Sequence, residues 1–314
     1  MLRSVHSFDR FEIAGVEFDF ALKDQVAAIV QRWKRAGRRH YISITNPHSV
    51  MLCHRDSEMR LATQRAALTL PDGVGVIIAA RLLGYGRRHR ATGPATMLAV
   101  CDQGRTLGFR HYFYGGGEGV AEQLAHRLCR DFPGLQVAGT CAPPFRPLAE
   151  QEDARIVAQI NAACADIVWI GLGAPKQEKW MLHHVGRIHA TAMIGVGAAF
   201  DFHSGRIPWA PAFVRKAGLE WAWRLARDPL GMLRRNLDSP AFLARVFKQA
   251  ICRRLNRSFP RTLSAYTKAL DSSHRIPVPP LRNAASGNAG PISAPQCPGA
   301  PAGNLFSAQW VRAD

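Results

Sequence analysis

The 314-residue sequence predicts an α/β fold: a mostly parallel sheet with helices on both faces, extended by a basic helical segment and a disordered tail. Three observations predict it. Short apolar runs alternate with stretches of helical period at the spacing of βα units. One of those runs, Ile167-Val168-Trp169-Ile170, is apolar at every position, as a strand buried on both faces must be. Polar or glycine-rich turns follow the predicted strands, and in parallel sheets those carboxyl ends are where ligands bind.

The elements follow in order. Phe11-Glu12-Ile13 and Val16-Glu17-Phe18 are short strands. Residues 21–35 carry Leu22, Val26, Ile29, Val30 and Trp33 at helical spacing. Residues 41–44 form a strand that ends in Thr45-Asn46-Pro47-His48, and 49–65 are helical with a break near 55–56. Residues 66–70 are a strand stopped by Pro71, which fixes its own φ and cannot donate to a ladder. Asp72-Gly73-Val74-Gly75 then turns into a helix reaching about residue 83. Taken alone, Asp72 reads as a helix cap, the commoner role for such a residue. Residues 84–93 are a basic loop, and a helix starts at Pro94. Strands at 111–114, 135–139, 167–170 and 192–196 alternate with helices at 120–130, 150–163 and one carrying Trp180 and Met181.

Composition narrows the class. Hydrophobic residues make up 47% of the chain, enough to fill a core. No run approaches about 18 uninterrupted apolar residues, and the first residues lack an apolar signal region, so a cytoplasmic location is expected. Seven scattered cysteines, an odd number without Cys-x-x-Cys, point to a reducing compartment and to neither disulfides nor structural zinc. The net charge of +18 is uneven. Residues 1–205 hold 24 Lys/Arg and 18 Asp/Glu; residues 206–261 hold 13 and 3, a net of +10; residues 262–314 hold 4 and 2. The three segments read as an α/β domain, a basic helical appendage and a Pro/Ala/Gly-rich tail without periodicity. Within the appendage, 240–255 places Phe242, Leu243, Val246, Phe247, Ala250 and Ile251 on one helical face. A basic amphipathic helix suits an anionic membrane surface, and equally suits packing on a core.

Four loops at strand ends, 45–48, 72–75, 115–119 and 171–178, carry candidate chemistry. Gly115–Gly119 resembles a phosphate cradle before a helix start, without a dinucleotide or P-loop fingerprint. Gly171-Leu172-Gly173-Ala174-Pro175-Lys176-Gln177-Glu178 puts an amide, a cation and a carboxylate on one helical turn. Gln177 suits a uracil or a sugar hydroxyl, whereas Glu178 suits either a ligand or the helix dipole. No Asp-x-Asp occurs, so arginines and helix starts are the expected neutralisers of a leaving phosphate, and no metal or other cofactor is expected.

Several motifs recur in one order: Thr45-Asn46-Pro47, Pro71-Asp72-Gly73-Val74-Gly75, Tyr114-Gly115-Gly116, Pro175-Lys176-Gln177-Glu178, Gly195-Val196-Gly197-Ala198-Ala199-Phe200-Asp201 and Gly218-Leu219-Glu220-Trp221 with Arg224. In this the chain resembles the WecG/TagA/CpsF family of bacterial glycosyltransferases over roughly residues 10–250. The resemblance implies a Rossmann-like domain and an inverting, metal-independent transfer. The sugar, N-acetylmannosamine or a related hexose, passes from a UDP donor to a polyprenyl-diphosphate-linked acceptor at the inner membrane face. It implies Asp72 as catalytic base and Thr45 and Asn46 placing a sugar. Gly73, Gly116, Gly117, Gln177 and Glu178 would line the substrates, and Arg224 would face the diphosphate. There are three departures. Threonine stands directly before Asn46, where the family has Thr-x-Asn. Gly231 replaces an arginine, and Ala95 an acid. Two other readings stay open: an inactive nucleotide-sugar-binding homologue, and a basic nucleic-acid-binding protein, disfavoured because the charge sits in one appendage. Self-association is also open.

Overall fold

The computed structural model describes residues 9–86, 89–231 and 237–258. The predicted tail at 262–314 lies outside the described residues, as do Arg87, Arg88, Arg234 and Arg235.

β1 (Arg10–Ile13) and β2 (Val16–Asp19) form an antiparallel hairpin. A 3-10 turn at Lys23–Gln25 precedes α1 (Val26–Arg35), so the helix expected from residue 21 begins later. β3 (His40–Thr45) leads into α2 (Pro47–Arg55) and α3 (Ser57–Arg65). The predicted break between these helices falls at Asp56, which is extended and accepts the Glu58 and Met59 amides as the cap of α3. β4 (Leu68–Pro71) precedes α4 (Val74–Leu82), then α5 (Gly93–Thr106), β5 (Arg110–Gly115), α6 (Val120–Asp131), β6 (Gln136–Cys141) and α7 (Glu150–Ala162). β7 (Ile167–Gly171), α8 (Lys176–His184), β8 (Ala192–Gly195) and α9 (Ala199–Ser204) complete the core. Beyond it lie α10 (Ala212–Lys216), α11 (Glu220–Arg227) and α12 (Ser239–Ser258).

The six core strands are all parallel in the order β4-β3-β8-β7-β5-β6. The chain lays β3 and β4 toward one edge, β5 and β6 toward the other, and then returns to fill the middle with β7 and β8. Strand alternation divides the core. Ile167 and Trp169 join a cluster with α1, α5, α6 and α9, whereas Val168 and Ile170 pack toward α7 and α8. Helices therefore cover both faces, as the sequence predicts.

A third apolar cluster joins the hairpin to α2, α4 and α12. It corrects the expected single apolar face of α12. Phe242 and Val246 are buried in this cluster, while Leu243, Phe247, Ile251 and Leu255 are exposed on the other side. The helix is thus anchored on the core and apolar outward as well.

Candidate active site

A cleft of about 940 Å³ opens at the carboxyl end of the sheet. That is ample for a nucleotide-sized ligand. The four loops singled out in the sequence converge on it: Asn46, Asp72, Gly116, Gly117 and Gln177 all line it. Phe145 comes from the loop after β6, and Glu220, Trp221 and Arg224 close it from α11.

The walls meet through backbone that leaves no room for side chains. Gly115 has φ +127°, and a Cβ there would stand 2.6 Å from the Gly171 carbonyl carbon. The loops after β5 and β7 thereby run side by side, with the Gly116 amide donating to the Gly171 carbonyl at 3.1 Å.

Asp72 sits where β4 gives way to α4. Its amide donates to the Thr45 carbonyl at 2.9 Å, tying the turn to the end of β3. The cap of α4 is Gly73, at φ +81°, with no side-chain capping bond. Asp72 therefore does not cap the helix. Among the described residues its Oδ1 accepts only the adjacent Gly73 amide, at 2.6 Å. The carboxyl is half-buried, and burial pushes it up to about 6. Arg224 pulls it down, Glu220 pushes it further up, and the Gly73 amide and Arg90 pull it down. A carboxyl in that range is ionised at neutral pH yet basic enough to take a proton.

Asn46 does two things at once. Its Oδ1 accepts the Ser49 amide at 2.9 Å and caps α2. Its remaining amide group is the part available to the cleft. Thr45, expected to place a sugar, does not line the cleft. It is fully buried, with its hydroxyl 3.0 Å from Ser43 Oγ. The two-residue period of the strand explains this: Ile44, not Thr45, shares a side with Asn46 and lines the cleft. Glu178, also expected at the ligand, is fully buried behind Gln177, which donates to it from Nε2 at 2.8 Å. Burial pushes the Glu178 carboxyl up to about 7, against the lowering effect of the Gln177 bond.

Arg224 Nη2 donates to Glu220 Oε1 at 2.7 Å, and its guanidinium lies 4.7 Å from the Phe202 ring centre. Arg90 donates to the Arg215 carbonyl at 2.8 Å and pins α10 over the cleft rim. Arg215 in turn stacks on Trp209 at 3.6 Å. Asp238, buried just before α12, holds His48 at 3.1 Å and pairs with Arg55. Ile44, Arg90, Glu220, His48 and Asp238 were not among the predicted site residues. Arg90, in a basic loop, His48, in the polar turn after the 41–44 strand, and Glu220, in the Gly-Leu-Glu-Trp motif, carried a signal in the sequence. Among the described residues, no three His, Cys, Asp or Glu side chains form a metal-binding group.

The model of the Glycosyl transferase WecG/TagA/CpsF family matches residues 11–256. An N-acetylglucosaminyldiphosphoundecaprenol N-acetyl-beta-D-mannosaminyltransferase of Bacillus spizizenii is 30% identical over 209 residues, covering 66% of this chain and 79% of the relative. The enzyme of that name from Staphylococcus aureus strain MW2 is 24% identical over 243 residues, covering 76% and 92%. With a parallel sheet that gathers the predicted loops and a family match across nearly all the described residues, this chain is a glycosyltransferase of the WecG/TagA/CpsF family.

Proposed function

We propose that the protein transfers an N-acetylmannosamine-type sugar from a UDP donor to a polyprenyl-diphosphate-linked saccharide, with inversion and without a metal ion. The observation that carries this reading is the Asp72 carboxyl, open to the cleft and raised to about 6. An acceptor hydroxyl gives its proton to Asp72 as its oxygen bonds to the anomeric carbon. The bond from that carbon to the diphosphate breaks on the opposite face, and UDP leaves. A single displacement of this kind inverts the configuration. Arg224 and Arg206, both lining the cleft, with the starts of α2, α4 and α8, supply positive charge for the departing diphosphate. Asn46 Nδ2 offers a donor to a sugar oxygen.

The relatives' name supports the acceptor class, since it describes a sugar transferred to an undecaprenol-diphosphate-linked N-acetylglucosamine. The outward apolar residues of α12, flanked by exposed Arg245 and Lys248, suit docking at the anionic membrane that holds such a lipid. No helix among the described residues is long and apolar enough to cross a membrane.

The test is transfer from UDP-N-acetylmannosamine to a synthetic lipid-diphosphate acceptor. The parent protein should turn over. Asp72→Asn should lose transfer while still binding UDP. Near-parental turnover in that variant would remove Asp72 as base. A second reading, nucleotide-sugar binding without turnover, has one observation on its side: Ile44 presents no hydroxyl where the family pattern has threonine. UDP binding with no transfer to any acceptor would favour it.

A further inference from the structure

Gln177 and Glu178 share the first turn of α8, and their side chains are almost wholly enclosed, with Gln177 4% exposed and Glu178 0%. Gln177 Nε2 donates to Glu178 Oε1 at 2.8 Å, and the carboxylate form of Glu178, which can only accept, holds the NH2 end of the amide turned toward it. The consequence lies at the other end of the amide. Gln177 Oε1 is buried and has no partner among the described residues. It lies beside Gly197, where a Cβ would stand 3.6 Å from it, and both residues line the cleft. Gly195 leaves the space that the amide itself occupies, since a Cβ there would stand 3.0 Å from Nε2. Buried polar atoms are nearly always paired, so an acceptor held in one direction at a cleft wall marks a bond that a ligand completes.

We propose that Glu178 is a positioning residue: it holds the Gln177 amide with its carbonyl oxygen toward the cleft, where that oxygen accepts a hydrogen bond from an N–H of the nucleotide sugar. This deepens the transfer reading above and rests on it. Two groups of such a donor carry an N–H: the imide of a uracil base and the acetamido group of the sugar. A site built to receive an N–H discriminates against an analogue lacking it, because its own acceptor is then left buried and unpaired.

The experiment is calorimetric titration of the full chain, without turnover, using two matched pairs. UDP is compared with 3-methyl-UDP, in which a methyl replaces the imide hydrogen. UDP-N-acetylmannosamine is compared with UDP-mannose, which lacks the acetamido group. The parent protein should lose about tenfold or more in Kd within one pair. Loss in the first pair identifies the uracil, and loss in the second identifies the sugar. In Glu178→Gln, whose neutral amide no longer forces one orientation on Gln177, that ratio should fall toward one with little change in Tm. Gln177→Met removes the acceptor at similar length and should flatten the ratio independently, which keeps the test valid if Glu178→Gln folds poorly. A ratio preserved in the folded variants would overturn the positioning role. So would a parent protein that binds UDP yet discriminates in neither pair. Failure of the parent to bind any of the four compounds would overturn the UDP-donor reading, and this inference with it.

Discussion

Arg224 reaches back one helical turn to Glu220, Nη2 to Oε1 at 2.7 Å, and both charges act on Asp72 from opposite directions. The arginine favours the Asp72 carboxylate, and the glutamate opposes it. Helix α11 therefore does more than line the cleft. It brings the charges that help decide how basic the candidate base is.

Neutralising Glu220 should move the acidic limb of the rate profile. In the parent, kcat/KM should rise with pH through about 6 as Asp72 loses its proton, because only the carboxylate can accept one. Glu220→Gln removes an influence that raises the Asp72 carboxyl, so the same limb should shift to lower pH. A pH profile of kcat/KM for both proteins checks this, and an unmoved limb would detach Glu220 from the base.

Asp72 should also cost stability, and the sign can be worked out. Its folded carboxyl titrates at about 6, above the ordinary 3.8, so the folded state holds the proton more tightly than the unfolded state. The cost is fully present above about pH 6 and fades as pH falls toward 4. Asp72→Asn keeps an oxygen for the Gly73 amide and carries no charge. It should raise stability by on the order of 1–2 kcal/mol at pH 8 and by almost nothing near pH 4. Calorimetric Tm at the two pH values reads the difference, and a gain larger at low pH would contradict the assignment.

Thr45→Val should separate stability from activity. Its hydroxyl pairs with Ser43 beneath the sheet end, so its loss should cost about 1 kcal/mol. Donor binding should stay close to the parent value. Ile44→Thr, which puts a hydroxyl on the cleft wall, should instead change the selectivity among UDP-sugars. Unfolding curves and a donor panel measure the two effects. A large loss of donor affinity in Thr45→Val would return that residue to the site.

The outward side of α12 should govern membrane association. Phe247→Glu with Ile251→Glu places two charges on exposed apolar positions and leaves buried Phe242 and Val246 intact. Flotation with anionic vesicles should show reduced binding and an unchanged Tm. Undiminished flotation would assign the membrane contact elsewhere.

What could be read beforehand depended on range. Asn46, Asp72 and Gln177 were legible because proline and glycine mark the turns that follow the preceding strands, and strand ends converge in a parallel sheet. Thr45 falls outside the cleft lining because adjacency to Asn46 in sequence is opposition across a strand. Glu178 sits beside a cleft residue, but the turn of α8 carries it inward. Asp238 reaches the site only through contacts made by distant segments, which leave no local pattern, and the basic loop that holds Arg90 did not say which of its arginines faces the cleft. The two-sided apolar character of α12 was hidden for a related reason: periodicity counts apolar residues but does not say which side meets a neighbour.

The strand order has a consequence for synthesis. The two central strands are the last to leave the ribosome, so a nascent chain that has released only β1 to β6 holds two separate strand pairs, β3 with β4 and β5 with β6, each with an unpaired inner edge. Those edges are open to wrong partners until β7 and β8 arrive to join them. Asp72 and Gly116 lie on opposite halves, so no cleft exists before the junction is made. Completion of the sheet is thus the step that brings the two walls of the cleft together.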